Sequence, residues 1–299
     1  MEKFLLVLGA LLLLNACNSP GNPMGESQEA AVSASAQKAA SAKLAGVLAA
    51  QPAETRERYR YRNPAETMAF FGIQPGSTVL EALPGGGWYS KILIDYLGPD
   101  GQLIGADYAA GMWPLFGFFP PEFIEEKKTW PTDWPADAEA WRTEKSAPIS
   151  AFIFGSMPPS LAGTADAVLF IRAMHNLSRF EDQGGFRSAA LQDAYQILKP
   201  GGILGVVQHQ APDSMSDEWA DGSHGYLKKG LLIGQIEAAG FEYVGSTDIN
   251  ENPADQPGID DVVWRLPPTY FTSRENPELR ARMEAIGESN RMTLKFMKP

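Results

Sequence analysis

The sequence is poor in the residues that build disulfides and metal centres. Its 299 residues include one cysteine and three histidines, so no disulfide can form within the chain. The histidines stand too far apart along the chain to form a recognisable metal-binding motif. Lys and Arg number 25 against 36 Asp and Glu, and no basic block occurs. The charge balance excludes nucleic acid as a partner, because binding phosphates requires clustered positive charge.

Long apolar runs are also scarce, and the longest lies at the N-terminus. Residues 4–14 are eleven apolar positions after Lys3, too few to span a bilayer but suited to the core of a signal peptide. The run continues into Leu14-Asn-Ala-Cys17, which resembles the lipobox of bacterial lipoproteins. The resemblance implies that residues 1–16 are removed and that Cys17 is lipidated. Asn18 is not the aspartate linked to inner-membrane retention. We therefore expect an exported protein held to the outer membrane, facing the periplasm, by its acyl chains alone.

Composition divides the rest of the chain in two. Residues 18–50 are rich in Ser, Ala, Gly and Gln, which predicts a flexible tether after the lipidated Cys17, with helical character near residues 39–48. Residues 51–299 contain enough apolar sequence for one large domain. Asn63 and Pro64 are predicted to cap and open the first helix of this domain, ending at Phe71.

Apolar segments and amphipathic segments then alternate. This order predicts an α/β fold, a doubly wound and mostly parallel sheet with helices on both faces. Strands are predicted at residues 78–83, 102–107, 149–154, 166–171, 203–208, 241–246 and 292–296, and helices at 88–97, 186–198 and 226–239.

A segment rich in Trp and Pro, residues 111–148, interrupts this alternation where a crossover helix would be expected. Two interpretations are open. The segment is a lid over the strand ends, or it is a surface insertion that packs its own aromatic side chains. Its tryptophans are Trp113, Trp130, Trp134 and Trp141.

The most informative stretch is Thr78-Val-Leu-Glu81-Ala-Leu-Pro-Gly85-Gly-Gly87-Trp-Tyr-Ser90, an apolar strand, a glycine turn and the start of a helix. Such a turn brings backbone N–H groups close to a ligand. The third glycine of the dinucleotide fingerprint is Ser90 here, which disfavours NAD. Glu81 would repel a phosphate but can accept hydrogen bonds from an ammonium group or a hydroxyl. These features favour S-adenosylmethionine, which carries an ammonium group and a ribose but no phosphate.

The second predicted strand supports the same cofactor. It ends in Asp107, at the place where nucleotide-binding α/β units put the carboxylate that binds ribose hydroxyls. Trp88, directly after the glycine turn, could stack near the cofactor, although an aromatic residue at a helix start is more often part of the core.

Several motifs together resemble the class I S-adenosylmethionine-dependent methyltransferases. The glycine turn corresponds to their first motif, Asp107 to the acid that ends the second strand, and Leu198-Lys-Pro-Gly-Gly202 to the turn before the fifth strand. Pro-Gly-Gly-Gly-Trp-Tyr, His175-Asn176 and the C-terminal Leu-Lys-Phe-x-Lys-Pro resemble a group of bacterial methyltransferases. The resemblance implies a seven-stranded Rossmann-like fold with an antiparallel last strand. It also implies a cofactor site at Glu81, Gly85, Gly86, Gly87, Trp88 and Asp107. One departure is Leu83, which stands where the family has a glycine.

Candidate catalytic residues follow the fourth and fifth predicted strands, because open parallel sheets bind ligands beyond their carboxyl ends. Methyl transfer requires a positioned acceptor and, for a hydroxyl or amine, removal of its proton. We predict His175 as the general base, Asn176 as its orienting hydrogen-bond partner, and His209 as a helper. The acceptor is expected to be a small molecule.

Other interpretations remain open. His175 and Asn176 could simply tie loop backbone together. The three histidines, with Asp213 or Asp221, could ligate a metal in an exported lipoprotein that kept the fold to bind a small ligand without methyl transfer. Arg172 could bind a substrate carboxylate, but pairing with Asp166 or Glu181 at the surface is favoured.

Overall fold

The computed structural model describes residues 23–299. The predicted signal peptide and Cys17 lie outside the described residues. Ala40–Pro299 forms one compact unit, and the described residues before Ala40, 23–39, belong to a separate one. None of the described helices combines the length and apolar character needed to cross a membrane.

A seven-stranded mixed sheet forms the centre of the compact unit. Its order is β3-β2-β1-β4-β5-β7-β6. The strands β1 to β5 pair in parallel, and β7 runs antiparallel to both neighbours. The predicted Rossmann-like sheet with an antiparallel last strand is confirmed. The strands are β1 Thr78–Ala82, β2 Gln102–Asp107, β3 Ile149–Ile153, β4 Ala165–Ile171, β5 Leu198–His209, β6 Glu242–Thr247 and β7 Arg291–Met297.

Helices cover both faces of the sheet, and each face has its own apolar cluster. The α-helices are α1 Pro23–Ala50, α2 Ala53–Arg56, α3 Tyr59–Arg62, α4 Pro64–Phe71, α5 Trp88–Leu97, α6 Pro121–Glu126, α7 Trp130–Ala138, α8 Met174–Arg179, α9 Glu181–Gly184, α10 Phe186–Ile197, α11 Lys229–Ala238 and α12 Pro277–Ile286. Short 3₁₀ helices lie at Ala110–Phe116, Glu139–Trp141, Pro159–Leu161 and Val263–Arg265.

Burial explains why the central strands were recognisable. The strand β1 is covered on both faces, and its Val79 and Leu80 are fully buried, which requires a continuous apolar run rather than alternation. The edge strand β6 is mostly exposed, and its exposed residues include Tyr243 and Val244 as well as polar side chains.

The start of α4 departs from the prediction. Pro64 is the first helical residue, as expected, but Asn63 makes no side-chain cap. Its backbone lies in the left-handed region, and its amide instead donates to the carbonyl of Ile249, 2.5 Å away. Asn63 therefore connects the start of α4 to the loop after β6, which is far away in the sequence.

The predicted tether enters the core. Leu44 and Leu48 in the last turns of α1 are buried in the apolar cluster on one face of the sheet. Tyr59 also donates a hydrogen bond to the carbonyl of Leu48. The compact unit thus begins before residue 51, because these two leucines lie on one side of the helix and cover core surface.

Candidate active site

A cavity of about 740 Å³ lies at the carboxyl ends of the parallel strands. The antiparallel β7 begins at the same edge, so residues just before it also reach the cavity. The wall consists of Arg58, Arg62, Leu83, Pro84, Gly85, Gly86, Trp88, Asp107, Tyr108, Trp113, Lys127, Trp130, Ile171, Arg172, His175, Asn176, His209, Val263, Trp264, Pro267, Pro268, Thr269, Glu288 and Ser289.

The glycines of the turn after β1 differ in what they face. Gly85 and Gly86 line the cavity, and a Cβ added to Gly86 would meet no atom within 4 Å. A Cβ at Gly87 would lie 2.5 Å from the ring of Trp141. Gly85 and Gly86 thus offer bare backbone to a ligand, whereas Gly87 allows Trp141 to pack against the turn and is not part of the wall.

Leu83 occupies the position where the resembling family has glycine. Its φ of 54° lies in the left-handed region that glycine adopts without strain. The main chain therefore keeps the glycine-type path, and the leucine side chain joins the cavity wall.

Glu81 does not reach the cavity. Its carboxyl is buried at the end of β1 and accepts a hydrogen bond from the Ser90 hydroxyl at 2.6 Å. Burial raises the pKa of Glu81 to about 7, although Ser90 and the positive charge of Arg172 both act to lower it. This hydrogen bond joins β1, before the turn, to α5, after it, so Glu81 stabilises the turn without lining the cavity.

Asp107 lines the cavity at the end of β2. One carboxylate oxygen accepts from the backbone N–H of Tyr108 at 2.8 Å, and the other from the Lys127 ammonium at 2.9 Å. Burial raises the pKa of Asp107, and Lys127 and Tyr108 oppose that rise. Each carboxylate oxygen can accept a second hydrogen bond, so ribose hydroxyls could still bind here.

The insertion at residues 111–148 is both a wall and a self-packed unit. Trp113 and Trp130 line the cavity, and the ammonium of Lys127 lies 4.4 Å from the Trp113 ring centre. Trp113 also contacts Phe119 and Phe123 edge to face. The two interpretations of this segment are thus compatible.

The wall fits an adenosine-type cofactor. Exposed glycine backbone and a buried carboxylate lie in one cavity, and aromatic rings of Trp88, Trp113 and Trp130 offer apolar surface for a planar base. Trp88 and Trp113 each have an indole N–H that is buried without a hydrogen-bond partner among the described residues.

Gln208, the penultimate residue of β5, holds His175 in one tautomer. The Gln208 amide N–H donates to the carbonyl of Gly225 at 3.0 Å, which directs its Oε1 towards His175 Nδ1 at 3.3 Å. An acceptor at this place requires a proton on Nδ1, so the lone pair of the ring is on Nε2. Burial lowers the pKa of His175 to about 4. The ring is neutral at physiological pH.

Asn176 is not the orienting partner of His175. It lines the cavity, but its amide donates to the Tyr108 hydroxyl at 2.9 Å, and its Oδ1 is buried without a partner among the described residues. The role predicted for Asn176 belongs to Gln208, because β4 and β5 are adjacent and Gln208 lies beside the residues that follow β4.

His209 lies beside His175, with ring centres 5.4 Å apart. Its Nδ1 pairs with the Ser289 hydroxyl at 2.6 Å. Burial, and then the positive charges around it, lower its pKa well below the ordinary histidine value.

The three-histidine metal site is not assembled. His224 stacks on Trp219 and is not part of the cavity wall. No group of three His, Cys, Asp or Glu side chains within residues 23–299 has the geometry to hold a metal ion.

The surface pairing expected for Arg172 is wrong. Asp166 pairs with Lys199, and Glu181 with Arg187. Arg172 forms part of the cavity wall instead and makes no ion pair with any described residue. Its φ of 60° directs the chain sharply away from the end of β4.

Sequence reasoning missed several wall residues. Tyr108 could have been found, since it follows the strand-end Asp107. Arg58 precedes α3 and Arg62 ends it, both before the first strand, and Glu288 precedes the last strand, so nothing local connects them with the site.

Solved structures share this fold at low sequence identity. Geranyl diphosphate C-methyltransferase from Streptomyces coelicolor A3(2), in complex with Mg²⁺, geranyl diphosphate and S-adenosyl-L-homocysteine, is 11% identical with a TM-score of 0.51, over 82% of this chain and 82% of that chain. A SAM-dependent methyltransferase from Aquifex aeolicus is 17% identical with a TM-score of 0.43, over 67% of this chain and 93% of that chain. No protein-family model and no curated protein matches the chain. The sheet order and the likeness to the geranyl diphosphate C-methyltransferase show that the chain has the Rossmann-like fold of the class I methyltransferases.

Proposed function

We propose that the chain is an S-adenosylmethionine-dependent methyltransferase that acts on a small-molecule acceptor. One observation carries the proposal. The bare backbone of Gly85 and Gly86, the carboxylate of Asp107 and the imidazole of His175 all line a single cavity. A binding site for an adenosine-type cofactor and a candidate base therefore share one enclosed space.

The cofactor half is formed by the ends of β1 and β2. Backbone groups at Gly85 and Gly86 would contact the cofactor, and Asp107 would accept hydrogen bonds from its ribose. When bound, S-adenosylmethionine supplies a methyl group on a positively charged sulfur. Glu81 supports the turn and makes no contact with the ligand.

His175 would receive the proton of the acceptor. Its Nε2 holds a lone pair because Gln208 fixes the proton on Nδ1. A hydroxyl becomes strongly acidic as it gains a methyl group, so a base with a pKa of about 4 suffices to take the proton of a hydroxyl acceptor. Because the ring is neutral, Nε2 does not have to release a proton before it accepts the proton of the acceptor.

Methyl transfer from labelled S-adenosylmethionine into the small-molecule fraction of a cell extract tests this role. His175→Ala should lower the rate by roughly 10²- to 10⁴-fold, the range for a general base. S-adenosylhomocysteine should bind the variant as it binds the wild type. A variant that keeps the wild-type rate removes His175 from the mechanism.

Cys17 would anchor the enzyme to the outer membrane. This part of the proposal rests on the lipobox-like Leu14-Asn-Ala-Cys17 and on the absence of aspartate at Asn18. Labelled palmitate should enter the wild type but not Cys17→Ser, and globomycin should block processing. Label in the Cys17→Ser variant would contradict lipidation.

A second candidate function is small-ligand binding without methyl transfer. The ion pair between Asp107 and Lys127 favours it, because Lys127 already occupies part of the acidic group that would bind ribose. Ligand binding by the chain together with no affinity for S-adenosylhomocysteine would support this function over catalysis.

A further inference from the structure

The cavity wall is positively charged in a protein that is strongly acidic. Four cationic side chains line it against two carboxylates, Asp107 and Glu288, while the whole chain has a formal charge of −11. Both histidines in the wall are neutral, because burial lowers their pKa values. The excess positive charge is concentrated at one end of the cavity, in Arg58, Arg62 and Arg172.

Glu288 alone cannot neutralise this arginine cluster. It accepts from Arg58 at 2.5 and 2.8 Å and from Arg62 at 3.3 Å, and it also pairs with Arg291, which lies behind the wall. Three arginines thus share one carboxylate. Arg172, the third arginine of the cluster, has no ion pair with a described residue.

Two guanidinium nitrogens in the cluster lack hydrogen bonds. Arg62 Nη1 and Arg172 Nε are buried and have no partner among the described residues, and the Arg62 side chain is only 2% exposed. An unpaired buried cation destabilises a fold unless a counter-charge is supplied. A ligand with a negative group would supply it.

Sheet order places Arg172 and Glu288 on the side of this edge that runs from β4 to β7, whereas Arg62 borders the cofactor half, with its guanidinium 4.4 Å from the centre of the Trp88 ring. Asp107 and the glycine turn follow β2 and β1, whereas Arg172 follows β4 and Glu288 precedes β7, two strands further along. Along this edge, His175 also follows β4. An anionic group bound by Arg172 would therefore lie at the same strand end as the base, which is where we place the acceptor.

We propose that Arg62 and Arg172 bind a carboxylate or phosphate group of the methyl acceptor, so the substrate is a small organic acid. The inference rests on the proposed methyltransferase function. Planar guanidinium groups bind such anions through two parallel hydrogen bonds, and Arg172 lines the cavity without an ion pair to any described residue. Arg58 closes the site from its edge, where its side chain is 25% exposed.

Anion binding to the protein saturated with S-adenosylhomocysteine tests the proposal, with inorganic phosphate and acetate as separate probes. Calorimetry should detect binding of at least one probe at millimolar concentration, and the stronger probe indicates whether the group is phosphate or carboxylate. Arg172→Gln should weaken that binding by about 10-fold or more while leaving the affinity for S-adenosylhomocysteine unchanged. Arg172→Lys keeps the charge but loses the planar guanidinium group, so its affinity for the anion should lie between those of the wild type and Arg172→Gln.

Arg280→Gln is the matched control, because Arg280 is exposed, forms an ion pair with Glu284 on its own helix, lies over the Tyr270 ring and does not line the cavity. It should bind the anion as the wild type does. Arg172→Gln should unfold at or above the wild-type temperature, since it removes a charge without a partner.

Two results would overturn the proposal. In the first, S-adenosylhomocysteine prevents binding of the anion, or the Arg172→Gln variant binds S-adenosylhomocysteine more weakly than the wild type does. Either finding would assign the cluster to the carboxylate of the cofactor. The saturated wild type could also bind neither probe. Failure of S-adenosylhomocysteine to bind at all, with the anion still bound, instead contradicts the methyltransferase function and leaves an anion site.

Discussion

Adjacent glycines in the turn after β1 have different tasks. Gly86 faces open cavity, so Gly86→Ala should leave folding intact and weaken S-adenosylhomocysteine binding by placing a methyl group in the ligand's path. Gly87 has a φ of 75° and contacts Trp141, so Gly87→Ala should lower the free energy of unfolding by about 2 kcal/mol.

Urea unfolding and calorimetric titration of both variants measure these effects separately. The expected result is a stability loss only at Gly87 and an affinity loss that is larger at Gly86. A Gly86→Ala variant with wild-type affinity would show that no ligand approaches this backbone.

Glu81 should make stability depend on pH. Burial raises its pKa to about 7 from an unfolded value of 4.5, so the folded state holds the proton more tightly. Its stabilising contribution is complete below pH 4.5 and is lost as the pH rises through 7, a change of up to about 3 kcal/mol. His175 acts in the opposite direction, since its lowered pKa makes stability rise with pH between about 4 and 6.5.

The Glu81→Gln variant isolates the first effect. The free energy of unfolding of the wild type minus that of the variant should fall between pH 4.5 and 7, and the histidine contribution cancels in the difference. A pH-independent difference would mean that Glu81 ionises normally and is not the buried neutral acid described here.

At the scale of elements, the sequence was most informative where strands are buried. The second strand was predicted with its observed bounds, because apolar runs closed by Gly and Asp mark both ends. The helix predicted from residue 226 begins only at Lys229, since Tyr226 turns inward to bond with Asp255 and Arg265. The apolar ring at position 226 is therefore explained by burial beside Asp255 and Arg265 and not by helix formation.

The insertion is attached to the sheet through Trp134. A Cβ on Gly105 of β2 would lie 2.6 Å from this ring, and Trp134 is buried, so the indole of α7 lies directly on the strand. Trp134→Ala should cost about 3–5 kcal/mol of unfolding free energy. Phe118→Ala in the same segment, where the ring is 69% exposed, should cost less than about 0.5 kcal/mol. Equal effects in urea unfolding would contradict this attachment.

At the scale of the whole molecule, the site combines predictable and unpredictable parts. The residues that follow β1, β2, β4 and β5 could be predicted because the carboxyl ends of parallel strands meet at one edge. Arg58, Arg62 and Glu288 could not. Arg58 and Arg62 come from a turn and a helix before the first strand, Glu288 comes from the segment before the last strand, and only the assembled fold brings them together.

The N-terminal boundary provides a prediction for the whole molecule. A chain that begins at Ala40 should unfold at the same urea concentration as the longer protein, because Leu44 and Leu48 are retained. A chain that begins at Gln51 loses the burial of both leucines, worth about 1.5–3 kcal/mol each. Equal stability of the two truncated chains would show that α1 contributes nothing to the core.

The most direct test of the central claim is a calorimetric titration of the purified protein with S-adenosylhomocysteine. We expect one binding site per chain, with affinity reduced in Gly86→Ala and retained in His175→Ala. No binding at millimolar ligand, by a protein whose unfolding shows that it is intact, would contradict the assignment of this cavity to a methyl-donor cofactor.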